Sequence, residues 1–122
     1  MKFTNNEIYN YATGFNSIFN SEIYIPAKAN FFIQKNIATF VAAAQEIEKS
    51  RLEIAKHYGE LTEDGAQYNI PEDKIVEANK ELNDLFNIEQ ELDIKTFKID
   101  DLGNGEFTPG QMQLLMIMIS ED

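Results

Sequence analysis

The chain has a single histidine, His57, four residues after Glu53 and three before Glu60. Glu and His four apart share a helix face, and such a pair can ligate a metal. Metal sites in helical proteins draw ligands from several helices, and no second Glu–His pair exists in the chain. The plainer reading is an exposed histidine near a helix C-terminus, where the helix dipole favours positive charge. The stretch Thr62-Glu63-Asp64-Gly65 hints at a calcium loop. With Gly65 as the sixth loop position, the twelfth is Pro71, where a bidentate Glu is required. A tight turn fits better.

Carboxylates are abundant, among them Glu46, Glu48, Glu53, Glu89, Glu91, Asp93, Asp100 and Asp101. A pair could do acid–base work on sugars, but only from a cleft that shifts their pKa values. Each lies on an expected solvated face or turn. The chain carries no nucleophile elbow, phosphate loop or dinucleotide fingerprint, and Gly103-Asn104-Gly105 lacks the strand–turn–helix setting such a motif needs. No enzyme is expected, and no cofactor or metal is implied.

Composition narrows the classes further. At 122 residues, one domain with a modest core is expected, and 43% hydrophobic and 11% aromatic residues suffice to fold it. A net charge of −11 repels free nucleic acid and anionic membrane. It suits solubility, a basic protein partner or mimicry of nucleic acid. Without cysteine there is no disulfide and no thiolate metal site, as fits a reducing cytoplasm. The opening MKFTNNEIYNY is too polar for a signal peptide. No apolar run reaches bilayer-spanning length.

The elements follow from local signals. Thr4 and Glu7 form a capping box and Phe3 and Ile8 a hydrophobic staple. Ile8, Ala12, Phe15 and Phe19 recur behind them, predicting a helix over 5–19 that stops at Asn20 and Ser21. Pro26 then permits a helix start. A seam of Ile33, Ile37, Phe40, Ala44, Ile47, Arg51, Ile54 and Tyr58 steps by four and three and predicts a helix over 27–58, with Gly59 as its cap. Its opposite face is read as solvated. Asp64-Gly65 marks a turn and QYNI is extended in character. A third helix over 71–90 carries Ile75, Ala78, Leu82 and Leu85 and lies antiparallel to the second. Alternation over 92–98 predicts a strand, with QYNI as its partner.

The closing TPGQMQLLMIMISED combines a second capping box, Thr108 with Gln111, and a second staple, Phe107 with Met112. The helix it starts is apolar nearly all round, so it is buried on several sides, in its own core or against a partner. The one-domain size favours its own core; the methionines suit an adaptable contact. Met112, Leu115, Met116 and Ile119 are therefore candidate partner contacts, with Asp100, Asp101 and Glu106 as an acidic rim beside them. The fold class is mainly α with a minor β-ribbon: an antiparallel long-helix pair, an N-terminal helix, a short two-stranded β element and an apolar C-terminal helix.

MKFTNNEIYNYATGF, YIPAKANFFIQKN, AQEIEKSRLEIAKHYGE, ANKELNDLFNIEQELDIKTFKIDDL and FTPGQMQLLMIMISED resemble, in that order, a family of small phage and prophage proteins of Gram-positive bacteria, a domain of unknown function, DUF1617. The resemblance spans nearly the whole chain. It implies a phage origin and no established activity, so it assigns no functional residues. Together with the surface character it suggests a non-enzymatic structural or assembly accessory protein. Such a protein works through protein–protein contacts, as an oligomer with itself or with a host protein, without direct nucleic-acid or membrane contact. The alternative is a soluble acidic inhibitor of a host defence or nucleic-acid-processing protein. Either places the chain in the host bacterial cytoplasm, the first also in the virion.

Overall fold

Thr4 ends one element and starts the next. In the computed structural model, which describes residues 1–19, 22–63, 65 and 67–120, strand β1 (Lys2–Thr4) runs directly into helix α1 (Asn5–Gly14). The Thr4 hydroxyl accepts from the Glu7 N–H at 3.1 Å, and the Glu7 carboxylate accepts from the Thr4 N–H at 3.0 Å, so two otherwise unpaired donors are satisfied. Phe3 and Ile8 are both buried. The expected single helix over 5–19 is interrupted: α1 ends at Gly14 and a short α2 (Asn16–Phe19) follows. Glycine is a poor helix former, and the turn at Phe15 places that ring wholly inside the core. The expected stop at Asn20 and Ser21 lies outside the described residues.

Helix α3 (Ala27–Tyr58) has the predicted bounds. Ile33, Ile37, Phe40 and Ile47 of its seam are buried, while Ala44, Arg51, Ile54 and Tyr58 are half-buried. Gly59 donates its N–H to the Ala55 carbonyl at 2.8 Å. A Cβ on Gly59 would stand 2.7 Å from that carbonyl oxygen, so the cap requires glycine.

The chain then forms a small hairpin, β2 (Glu60–Leu61) with β3 (Tyr68–Asn69). Tyr68 and Asn69 therefore pair with residues just after α3 and not with 92–98 as expected. The nearer partner closes a shorter loop at lower entropic cost. A 3₁₀ turn over Glu72–Lys74 leads into α4 (Ile75–Phe86), which is shorter at both ends than the predicted 71–90. Helix α4 runs antiparallel to α3: Glu81 sits at Tyr58, whereas Phe86 packs edge-on against Tyr9, whose hydroxyl reaches Glu48. Ala78 is buried and Leu82 and Leu85 half-buried, but Ile75 is 40% exposed at the far end of this arm.

Residues expected to end that helix instead form strand β4 (Glu89–Glu91), antiparallel to β1 with Phe3 opposite Gln90. The predicted strand over 92–98 is absent. Only Phe97 bridges, in parallel, to Ile119, and Lys95 is held by a side chain of α3. Helix α5 (Pro109–Leu115) carries its capping box and continues as a 3₁₀ turn over Met116–Met118. Leu115 and Met118 are fully buried, so the apolar C-terminal helix closes the chain's own core. At the centre of that core Phe40 meets Phe3 at 5.2 Å and Phe15 at 5.4 Å between ring centroids. The architecture is mainly α with a minor antiparallel β element.

Candidate interaction surface

The sequence-predicted contact residues divide by burial. Leu115 offers no surface, since it is 0% exposed. Met112 and Ile119 are half-buried, and only Met116, at 59% exposure, projects from the C-terminal helix. Asp100 and Glu106 are exposed. Asp101 is half-buried: its carboxylate accepts from the Lys98 N–H at 3.1 Å and lies 3.5 Å from the Lys28 ammonium. It thus fastens the 3₁₀ turn over Ile99–Leu102 to the start of α3. Glu121 and Asp122, the two carboxylates that follow this helix in the sequence, lie outside the described residues.

Two concavities carry carboxylates. One, of about 690 Å³, lies between the chain approaching α3 and the Gly103–Glu106 loop, with Glu22 and Glu106 among its lining residues. The other, of about 340 Å³, lies between α1 and α3 and is lined by Tyr9, Thr13, Asn16 and Glu48 among others. In the second, the Glu48 carboxylate accepts from the Tyr9 hydroxyl at 3.1 Å and from Arg51 Nε at 2.9 Å, and Arg51 Nη2 reaches its other oxygen. The Arg51 guanidinium holds the Glu48 carboxyl below the usual carboxylate range. The Glu48 carboxylate in turn pushes the Tyr9 hydroxyl above the usual tyrosine range. A carboxylate kept ionised by arginine is poorly suited to act as a general acid. Arg51, which interrupts the hydrophobic seam, is placed there to reach it. His57 is exposed and meets the Tyr58 ring edge-on at 4.7 Å. Among the described residues no three His, Asp or Glu side chains are grouped to hold a metal ion.

The most unusual surface is the outer face of α3. Phe31 is 57% exposed, Leu52 39% and Val41 37%. Phe31 falls on the side away from Ile33, Ile37, Phe40 and Ile47, whereas Val41 lines the concavity between α1 and α3 and Leu52 one beside Gln67 and Tyr68. Lys28, Lys35, Lys49 and Lys56 are exposed on this side too, with the exposed Glu46 and Glu53 interleaved in its C-terminal half. Lys35 Nζ lies 5.5 Å from the centre of the Phe31 ring. Reading α3 from its buried seam misses this face, because the seam defines the opposite side only as solvated. One signal was available: no Asp or Glu occurs between Glu22 and Glu46 in a chain with 21 of them.

The described residues include no helix long and apolar enough to cross a membrane. No known family matches the chain, nor does any curated protein or solved structure.

Proposed function

We propose that the chain is a non-enzymatic, phage-encoded structural or assembly accessory protein that works through protein–protein contacts. The observation that carries this reading is the outer face of α3, where Phe31 and Leu52 stand exposed on a 32-residue helix. Large exposed apolar side chains on one helix favour a protein partner. The phage origin rests on the resemblance of the chain's segments, in their order, to small phage proteins. In the concavity between α1 and α3, Glu48 is tied to Arg51 and Tyr9, an arrangement that does not favour acid catalysis there. The test is to separate virions and assembly intermediates from free protein on a density gradient after prophage induction. The reading expects the chain with virions or intermediates; recovery wholly in the free fraction contradicts it.

A second reading, a soluble inhibitor of a host protein, is favoured by a different observation. Residues 52–86 hold nine carboxylates against three lysines, a net −6 of the chain's −11. That arm of α3 and α4 suits a basic groove. This reading expects the free fraction, and salt-sensitive binding to a host protein.

A further inference from the structure

We infer that Asn104 is a self-modification site: its side chain cyclises onto Gly105, releases ammonia and hydrolyses to isoaspartate, which loosens the clasp between the 103–106 loop and the chain entering α3.

The reaction needs a free nucleophile and a free amide side by side. Asn104-Gly105 is the chain's single Asn-Gly step, and it follows the turn at Gly103, where φ is +69°. Asn104 is exposed. Among the described residues, neither its side chain nor the Gly105 N–H has a hydrogen-bond partner. Glycine carries no side chain to shield its own nitrogen. That nitrogen gives up its proton to hydroxide and attacks Asn104 Cγ. A C–N bond forms, the bond from Cγ to the side-chain nitrogen breaks, and that nitrogen leaves as ammonia. The cyclic imide then adds one water at either carbonyl. Opening at Cγ restores the main chain with aspartate at 104. Opening at the main-chain carbonyl leaves Gly105 joined through Cγ, as isoaspartate.

Other positions lack this combination. Asn5 and Asn36 donate their side-chain amides to backbone carbonyls at 2.8 Å. No other asparagine precedes glycine. Asp64-Gly65 can form the same ring, but the Gly65 N–H donates to the Thr62 carbonyl at 2.9 Å, and Asp64 itself lies outside the described residues.

The consequence follows from the two glycines that bracket Asn104. A Cβ on Gly103 would stand 3.0 Å from Pro26 Cγ, and one on Gly105 would stand 2.7 Å from Ile23 Cγ2. Both glycines therefore lie close against the chain that leads into α3. Isoaspartate lengthens the main chain by one methylene between them, so at least one of these close approaches must yield. The new carboxylate also joins Glu22 and Glu106 in lining the same concavity, where like charges repel.

The test incubates the intact protein below its unfolding midpoint, in neutral and in mildly alkaline buffer. Ion exchange follows the gain of negative charge. Electron-transfer fragmentation of the tryptic peptide after Lys98, whose only asparagine is Asn104, separates aspartate from isoaspartate. The expected result is conversion at Asn104 at least about tenfold faster than at any other asparagine, faster in the alkaline buffer, with isoaspartate the main product. N104Q, whose side chain closes a larger and less favourable ring, should remain a single charge species. The purified isoaspartate form should unfold several degrees below the parent. N104D, which adds the charge without lengthening the chain, should lose less. Conversion first at another asparagine, or at Asn104 only once urea has unfolded the chain, would overturn the site. An isoaspartate form with the parent's midpoint would overturn the clasp.

Discussion

The Asn36 side chain holds the Lys95 backbone at both of its polar groups: Nδ2 donates to the Lys95 carbonyl at 2.8 Å, and Oδ1 accepts from the Lys95 N–H at 2.8 Å. Asn36 is 0% exposed. One amide thus stands in for a neighbouring strand and fixes the extended segment after β4 against α3. Asn36→Ala leaves both backbone groups without this partner, each costing about 1–3 kcal/mol if it stays buried. Urea unfolding should show a loss of about 2–4 kcal/mol. A loss below about 0.5 kcal/mol would show that water replaces the amide without cost.

The C-terminal helix should respond unevenly to truncation. Leu115→Ala removes a fully buried side chain and should cost about 2–5 kcal/mol. Met116→Ala removes one that is 59% exposed and should change stability by less than about 0.5 kcal/mol. Equal effects in thermal or urea unfolding would contradict the packing of α5.

The Tyr9–Glu48–Arg51 group should impose a pH dependence with two limbs. The Glu48 carboxyl is depressed mainly by Arg51, so its contribution is present above the ordinary carboxylate pKa and disappears as pH falls through the lowered value. Tyr9 is raised mainly by Glu48, so its contribution is present below the ordinary tyrosine pKa and disappears as pH rises through the raised value. Glu48→Gln should flatten the acid limb, cost about 1 kcal/mol or less at neutral pH, and return Tyr9 towards ordinary titration in ultraviolet absorbance. An unchanged tyrosine titration would contradict the hydrogen bond.

Gly103 has φ +69°, and a Cβ there would stand 3.0 Å from Pro26 Cγ. Gly103→Ala should therefore cost about 1–2 kcal/mol through backbone strain and displacement of the chain entering α3. Thermal unfolding measures it, and a stabilised variant would contradict the loop geometry.

Features set by near neighbours were legible in the sequence. Thr4 with Glu7 and Thr108 with Gln111 announce helix starts because each cap lies within one turn. The α3 seam is legible because its period repeats through 32 residues. Strand β1 was not, since three residues carry no alternation and their partners, Glu89–Glu91, lie far along the chain. Nor were the roles of Asn5, which donates to the Leu85 carbonyl at 2.8 Å and accepts from Gln90 at 2.7 Å, and of Asn36. Such bonds join residues 59 to 85 positions apart and leave no local pattern. The all-round apolarity of the C-terminal helix left its own core and a partner both open, and the fold places Leu115 and Met118 in its own core. Exposure of Phe31 beside the lysines needed the fold, which decides which side of α3 is covered.

The central claim is that the outer face of α3 is where the protein does its work. The most direct measurement of the proposed assembly role introduces Phe31→Ser with Leu52→Ser into the chain's own gene and compares its distribution with the unsubstituted protein on the same density gradient. Both positions are exposed, so the double variant should unfold within a few degrees of the parent, about 1 kcal/mol or less in stability. The account predicts a folded protein lost from the virion and assembly fractions. A folded variant that still co-fractionates like the parent would contradict it.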